Sequence, residues 1–360
     1  MIRNLKTLVI LSPAFPANES EDTWVVSQQL FVKTVKKNFP GVNVIVLTFF
    51  YPHHKSPYSW NDIPIIPFDG MKKRKWRRPL FWREIWNHLN KIRQENGIYG
   101  LFSFWCGECA LIGRYYGSRY HIKHFTWICG QDARSGNNWV KFIRPSPDSL
   151  VAMSPFLVRE FFNNHKIKPG HTIHNAIDPT SFPNQVAMER DIDILAAGSF
   201  EIPKQYHLLA EIVSSLKESF PSIRCYHSGM GPEKDNVQAM INQLQLENNL
   251  SLLGVKSHQE VLKLMQRAKV FLHPSLYEGF STVCLEALYA GAHVISFCYP
   301  LDQPVTNWHV VKTTGEMRLM AEKILKDSFT VYAPVKLFSM DETVNAVMEL
   351  FDMDGDGDKT

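Results

Sequence analysis

The sequence predicts an α/β protein built from two doubly wound domains, and three observations support this fold class. The chain opens with a strand, a helix and a strand: TLVILSPAFP at 7–16, a helix-like stretch at 25–37 and VNVIVLTFF at 42–50. This order is typical of a parallel sheet. The second half repeats the alternation with short apolar strands. Finally, 360 residues, 45% of them hydrophobic, suffice for about two domains of ~150 residues each.

The remaining strands follow from short apolar runs. In the first half these are IYGLFSFW (98–105), HIKHFTWIC (121–129) and DSLVAMS (148–154). In the second half they are 193–199, 223–229, 250–254, 269–275 and 293–296, with helices between them that include 205–220 and 258–268. Apolar parallel strands need both faces covered, so each half is predicted to be an open sheet with helices on both sides.

The boundary between the domains is expected in NAIDPTSFPNQ (175–185), which is rich in Pro, Asn and Ser. We therefore predict a first domain at 1–178 and a second at 186–335. A C-terminal helix at 336–351 is expected to pack back on the first domain, and the acidic tail at 352–360 is expected to be disordered.

Composition excludes several classes of protein. No run approaches the ~18 apolar residues of a transmembrane helix, and the apolar stretch at 8–11 is too short for a signal peptide. Six scattered cysteines without a disulfide-like rhythm indicate reduced thiols and a cytoplasmic protein. The net charge of +4 is modest, so any electrostatic function must come from a local cluster.

The most informative stretch is LYEGFSTVCLEALYAGAHVIS (276–296), in which Glu278 and Glu286 stand eight positions apart. A strand ends near Ser275 and a helix begins near Ser281. The backbone N–H groups of Gly279, Phe280, Ser281 and Thr282 would therefore form an anion site at a helix N-terminus.

Glu286 would lie about 7 Å further along this helix, within reach of the hydroxyls of a ribose. Glu278 would hold a sugar hydroxyl on the other flank of the anion. Together these features describe a site for a nucleotide diphosphate sugar. The alternative is that two unrelated glutamates share this spacing by chance.

The stretch 273–296 resembles the donor-site signature of glycosyltransferase family 4, the retaining group 1 enzymes. Further motifs of the second half agree with it. In AGSFEIPK (197–204), Gly198 and Lys204 match the family's strand-end glycine and downstream lysine. The resemblance implies the GT-B fold, in which two Rossmann-like doubly wound domains face each other across a cleft. It also implies that the first domain binds the acceptor and the second binds the nucleotide-sugar.

Two more segments of the second half resemble the family's donor site. HSGMGPEK (227–234) resembles the next glycine turn, with Gly229 and Gly231. LLGVKSHQEV (252–261) resembles the segment that lines the nucleobase, with Val255. The resemblance covers roughly residues 172–300 well and the first half loosely.

Three residues are predicted to serve the chemistry. Glu278 would contact the sugar, and the ammonium of Lys204 would stabilise the charge that grows on the leaving diphosphate. Asp132, in the turn WICGQDARSGNN (127–138), is predicted to be an acceptor-side or sugar-contacting carboxylate. The alternative for Asp132 is a turn-forming aspartate, and the alternative for Lys204 is an exposed surface lysine.

Two positions depart from the family pattern. Ser199 stands where an arginine usually follows the strand-end glycine, so the second phosphate-binding cation is missing or comes from elsewhere. Cys129 stands where the family often has a histidine, and we interpret it as a buried apolar residue.

The run KKRKWRR (72–78) contains six basic residues in seven. With the tryptophan that follows, it suggests a membrane or acceptor surface, formed by Lys72, Lys73, Arg74, Lys75, Trp76, Arg77, Arg78 and Trp82. Basic side chains beside tryptophan suit an anionic membrane. A solvated basic loop is the main alternative, and nucleic acid is disfavoured because no recognition motif accompanies the patch.

No metal site and no cofactor are expected. The Cys106–Cys109 pair is a single CxxC without a second pair, and the histidines are dispersed. The Asp-x-Asp at 191–193 leads directly into a predicted strand. We therefore expect metal-independent chemistry, in which a helix dipole and a lysine replace magnesium.

The sequence thus predicts a retaining glycosyltransferase that uses a UDP- or GDP-sugar. The expected acceptor is a glycan or a lipid-linked glycan in bacterial cell-surface polysaccharide synthesis. The protein would be cytoplasmic, or peripheral on the inner face of the membrane. Two alternatives stay open: a nucleotide-sugar 2-epimerase of the same fold, and a non-catalytic member that binds sugar nucleotides.

Overall fold

The computed structural model describes residues 6–71, 78–183 and 189–352. Its strands, β1 to β14, are Lys6–Ala14, Val42–Tyr51, Tyr58–Trp60, Ile63–Pro67, Gly100–Phe104, Lys123–Ile128, Leu150–Ala152, His171–Thr172, Ile192–Ala197, Cys225–Ser228, Leu250–Leu252, Ala268–His273, His293–Ser296 and Trp308–Val310. Its helices, α1 to α11, are Val26–Asn38, Arg78–Asn96, Glu108–Tyr120, Trp139–Ile143, Pro155–His165, His207–Lys217, Lys234–Gln243, His258–Arg267, Thr282–Tyr289, Thr314–Lys326 and Met340–Asp352. The strands predicted in both halves are confirmed, with ends shifted by a few residues.

These elements fall into two units. The first contains the chain up to Asn175 together with the segment from Met340 onward, and the second contains Ala176–Ser339. The first unit thus holds β1–β8, α1–α5 and α11, and the second holds β9–β14 and α6–α10. The chain enters the second unit once and returns to the first.

The sheet of the first unit has the strand order β3-β4-β2-β1-β5-β6-β7-β8. All neighbours are parallel except β3 and β4, which pair antiparallel. The sequence analysis missed β3, β4 and β8. Two or three residues, as in β3 and β8, are too short to show periodicity, and β4 (Ile63–Pro67) has a proline at its end.

The helices of the first unit cover both faces of this sheet. The buried residues of α2 recur at helical spacing and form its apolar face: Phe81, Ile85, Leu89 and Ile92. Helix α11 packs into the same unit: Asp341 Oδ1 accepts hydrogen bonds from Lys37 and Asn38 at the end of α1. The tail beyond residue 352 lies outside the described residues.

The sheet of the second unit is fully parallel, with the order β11-β10-β9-β12-β13-β14. This is the doubly wound arrangement, in which the strand order reverses between β9 and β12. Successive residues of β9 point to opposite faces of this sheet: Ile194 packs into one apolar cluster, and Leu195 packs into the other. The predicted fold class is therefore confirmed for both sheets. The three-residue edge strand β14 was not predicted.

Helix α8 shows how local sequence sets an element boundary in this unit. The Ser257 side chain accepts a hydrogen bond from the backbone N–H of Glu260, and the Glu260 carboxylate accepts one from the Ser257 N–H. This capping box satisfies N–H groups that would otherwise lack partners at the helix start. Among the described helices of both units, none combines the length and apolar character needed to cross a bilayer.

Candidate active site of the second unit

The candidate site lies at the reversal of strand order in the second sheet. Strand β9 ends at Ala197 and is followed by Gly198, while β12 ends at His273 and continues into the loop before α9. These are the carboxyl ends of two adjacent strands that lead to opposite sides of the sheet. Doubly wound sheets bind ligands at this position.

Glu278 is the centre of a hydrogen-bonded cluster in that loop. Its Oε1 pairs with the ammonium of Lys204, accepts a hydrogen bond from Ser275 Oγ at 2.8 Å and lies 3.1 Å from His273 Nε2. Burial raises the pKa of Glu278, but the hydrogen bond and charge of His273 and the Lys204 ammonium outweigh it and bring the pKa to about 2. The carboxylate is thus ionised and fixed in one position. The two residues predicted to be catalytic in this unit are in direct contact.

His273 is a site residue that the sequence analysis did not identify. It is buried, and its Nε2 lies between the Glu278 carboxylate and Ser281 Oγ, which is 3.2 Å away. It therefore connects the sugar-side glutamate to the start of α9. The one sequence feature that could have indicated His273 as a site residue is its position at the end of a predicted strand, directly before Pro274.

Helix α9 begins after Ser281, as predicted. The Ser281 hydroxyl lies 3.2 Å from Cys284 Sγ, one turn further along. The ring of Phe280 packs beside Phe338, with ring centroids 6.1 Å apart, so its side chain belongs to the apolar core. Only the backbone of Phe280 can therefore serve the predicted anion site with Gly279 and Thr282.

Glu286 lies on α9 and is buried, with Oε1 2.7 Å from Nε2 of His258, the first residue of α8. The sequence analysis missed His258. A carboxylate has two oxygens and about four acceptor positions. The contact with His258 thus fixes the orientation of Glu286 and leaves acceptor capacity for the hydroxyls of a ribose.

The glycine turns at Gly198 and Gly229 lie side by side. The backbone N–H of Gly229 donates to Gly254 O at 2.9 Å, and Gly198 N–H donates to Ser228 O at 3.0 Å. Gly229 has φ +153°, and a Cβ on it would stand 1.9 Å from Gly198 O. A side chain is thus excluded there, which lets the two turns approach each other closely.

The remaining predicted donor residues occupy the same strand ends. A Cβ on Gly231 would approach the backbone of Phe200 to 2.6 Å. Ser199 is exposed directly after β9 and Gly198. Val255 is 58% exposed in the loop between β11 and α8, where the predicted nucleobase contact would lie.

Asp132 lies in the first unit and is buried. Its Oδ2 accepts a hydrogen bond from the backbone N–H of Cys129 at 2.8 Å, and Asn137 Nδ2 donates to its backbone oxygen at 3.1 Å. These contacts are those of a turn-forming aspartate, the alternative considered from sequence. Cys129 is buried as expected, and burial raises the pKa of its thiol.

Asp132 makes the stability of the first unit depend on pH. Burial raises its pKa from 3.8 to about 7, partly opposed by the N–H groups of Cys129 and Cys106. A folded pKa above the unfolded one means that the stabilising contribution is complete below about pH 4 and is lost as pH rises towards 7. We expect Asp132→Asn to remove this loss, a gain of up to about 4 kcal/mol at neutral pH.

Urea unfolding of both proteins between pH 4 and 8 tests this expectation. The exposed Asp148→Asn serves as the matched control and should keep the wild-type pH dependence. Parallel curves for wild type and Asp132→Asn would contradict the assigned protonation of Asp132.

Of the predicted basic surface, residues 72–77 lie outside the described residues. The Arg78 Nη1 lies 3.3 Å from the buried Glu108 carboxylate, and Trp82 Nε1 donates to the same oxygen at 3.0 Å. Arg78 also stacks over Phe50 at 5.3 Å. These two residues therefore help to hold α2 against α3. In the described part of the chain, no cluster of three or more His, Cys, Asp or Glu side chains is placed to hold a metal ion.

Comparison with known proteins agrees with this geometry. Two doubly wound sheets with this strand order define the GT-B class of fold. A glycosyltransferase from Rickettsia africae superposes with a TM-score of 0.66, at 14% identity over 98% of this chain and 100% of that one. The Anabaena protein HepE, solved with UDP and glucose, gives 0.67 at 12% identity over 97% and 98% of the two chains.

The match to a family model lies in the second unit. Residues 178–325 match the model of the family described as glycosyl transferases group 1. A curated relative is the phosphatidylinositol N-acetylglucosaminyltransferase gpi3 subunit of Schizosaccharomyces pombe, 26% identical over 207 residues, which is 55% of this chain and 45% of that protein. The chain spans less than half of the length of the first curated relatives it matches.

Proposed function

We propose that the protein is a retaining glycosyltransferase that moves a sugar from a UDP- or GDP-sugar to a glycan or lipid-linked acceptor. The observation that supports this most directly is the ionised Glu278, held by Lys204, Ser275 and His273 where the strand order reverses. This cluster joins a carboxylate suited to sugar hydroxyls with a cation suited to phosphate, beside the start of a helix.

In the proposed complex, the diphosphate lies at the N-terminus of α9, where backbone N–H groups and the helix dipole favour an anion. Glu286 accepts hydrogen bonds from the ribose, and Glu278 accepts one from the transferred sugar. Lys204 then exchanges its contact with Glu278 for one with the diphosphate. Because the diphosphate gains charge as it leaves, this cation stabilises the transition state more than the ground state.

The chemical step replaces one bond to the anomeric carbon with another on the same face. The bond from this carbon to the phosphate oxygen breaks while the bond to the acceptor oxygen forms, and the acceptor's proton passes to the leaving phosphate. No separate general base is needed. We propose that the helix dipole and Lys204 take the part of a metal ion.

The proposed substrates follow from the same chemistry and from the comparisons. HepE was solved with UDP, which makes UDP the first nucleotide to test. The name of the fission yeast relative includes a phosphatidylinositol acceptor, which favours a lipid-linked acceptor here. Such an acceptor would place the protein on the cytoplasmic side of an anionic membrane, and bacterial cell-surface polysaccharide is the product we propose.

A thermal-shift screen against UDP, GDP, ADP and their sugar conjugates tests the donor site. A ligand at 100 times its Kd should stabilise the protein by about 2.7 kcal/mol. Glu286→Ala should weaken the binding of the active nucleotide about 10- to 100-fold, since it removes hydrogen bonds to a charged acceptor. The exposed Glu247→Ala is the control and should bind normally. Absence of a shift with every nucleotide would refute the proposal.

Turnover assays separate this proposal from its two alternatives. Incubation with donor alone should release nucleotide slowly and leave the sugar's configuration intact. An epimerised nucleotide-sugar would identify an epimerase. Nucleotide binding without turnover on a broad acceptor panel would identify a non-catalytic protein.

A further inference from the structure

The first unit contains an apolar groove that has no part in the donor chemistry. It has a volume of about 660 Å³ and lies among α2, α3 and α4. Its main lining residues are Trp82 and Trp86 of α2, Leu111 and Tyr115 of α3, and Trp139 and Phe142 of α4. We refer to this feature as the α2–α4 groove.

The groove opens to solvent and has aromatic walls. Phe142 is 62% exposed and Tyr115 is 52% exposed, although both are large and apolar in character. The Tyr115 hydroxyl donates to Phe142 O at 3.0 Å, and the rings of Trp82 and Trp139 meet edge to face at 6.4 Å. A contiguous exposed aromatic surface of this kind marks an interaction site.

The helices around the groove are positively charged. Together α2, α3 and α4 contain seven Arg or Lys residues and three glutamates. Each glutamate forms an ion pair: Glu84 with Lys55, Glu95 with Lys91, and Glu108 with Arg78. Arg83 itself lines the groove. The surface beside the apolar walls is thus suited to an anionic group.

We propose that the α2–α4 groove binds the hydrocarbon chain of an anionic membrane lipid, with the lipid phosphate near Arg83. Tryptophan and basic residues together are typical of the boundary between hydrocarbon and headgroups. The lining is apolar or aromatic except for Arg83, which suits a hydrocarbon chain with a charged headgroup at one end. The inference extends the membrane-surface part of the proposed function.

Vesicle binding by the full chain tests this inference. We expect the protein to sediment with vesicles of phosphatidylcholine and phosphatidylglycerol, and to bind pure phosphatidylcholine vesicles at least ~10-fold more weakly. Lipids brominated along the acyl chain should quench tryptophan fluorescence, because Trp82, Trp86 and Trp139 would contact the chain.

Matched variants separate the groove from general adsorption. Phe142→Ser should weaken vesicle binding about 10-fold and abolish the additional quenching, while Phe162→Ser should have no effect, because Phe162 is similarly exposed (47%) on α5 of the same unit. Arg83→Glu should weaken binding to anionic vesicles more than the exposed control Lys168→Glu. Thermal unfolding of each variant confirms that it is folded.

Three outcomes would overturn the inference. These are absence of binding to anionic vesicles, binding without quenching by brominated chains, and equal effects of Phe142→Ser and Phe162→Ser. Donor hydrolysis should be the same in all these variants. Lipid binding in a protein that never turns over a nucleotide-sugar would refute the proposed function and leave this inference intact.

Discussion

Lys204→Ala is expected to lower kcat for sugar transfer about 10²- to 10³-fold, the loss typical of removing one preorganised group that stabilises developing charge. The affinity for the donor should change much less, because the charge on the diphosphate grows mainly in the transition state. Initial rates at saturating donor, together with the thermal shift produced by the nucleotide, measure the two effects separately.

Two further variants show whether the lysine acts directly. Lys217→Ala removes a half-buried lysine at the end of α6 in the same unit, whose Nζ donates to Gln245 O at 2.8 Å, and should retain wild-type rates. Glu278→Gln keeps the shape of the residue that Lys204 contacts and should also lose at least ~10²-fold in kcat, because a neutral amide binds sugar hydroxyls less strongly. If Lys204→Ala stayed within threefold of wild type, the proposed role of the cation would be wrong.

Gly229→Ala is expected to produce the largest loss of stability, about 3 kcal/mol in the free energy of unfolding. The new Cβ would stand 1.9 Å from Gly198 O in a backbone conformation with φ +153°. The neighbouring turn would have to move, so nucleotide binding should be lost as well. Urea unfolding and the nucleotide thermal shift measure both consequences.

Gly254→Ala is a sharp control for this experiment. Gly254 also has positive φ, +72°, and its carbonyl accepts the hydrogen bond of Gly229, but a Cβ on it meets nothing within 4 Å. The substitution should therefore cost only the strain of a non-glycine residue at positive φ, about 1 kcal/mol in the free energy of unfolding. Equal destabilisation by the two substitutions would show that the close contact of the two turns does not matter.

The sequence predicted the donor-side framework well because its signals are local and repeated. Apolar runs of four to six residues define the buried parallel strands, and Gly279 with Ser281 indicates the start of α9. Lys204 and Glu278 were both placed after strands of the predicted sheet. Their direct contact follows from the adjacency of β9 and β12, which the structure shows.

The partners of these residues could not be predicted in the same way. His273 and His258 are single histidines without periodic spacing, and only the packing of β12, α8 and α9 brings them to the two glutamates. The sequence left two roles open for Asp132, and its motif alone could not show that the carboxylate accepts a hydrogen bond from the N–H of Cys129. The short strands β3, β8 and β14 are edge strands that form by pairing with β4, β7 and β13, and such pairing leaves no pattern in a run of two or three residues.

Helix α11 follows the whole second unit along the chain, yet it packs into the first. A fragment that stopped at Asn175 would leave bare the surface that Val344, Val347 and Phe351 normally cover, and we expect such a product to aggregate. To express the first unit alone, residue 175 should instead be joined to residue 340 through a short linker. During synthesis on the ribosome, the amino-terminal sheet is made first, but its packing is complete only after the thirteen residues of α11 have been added.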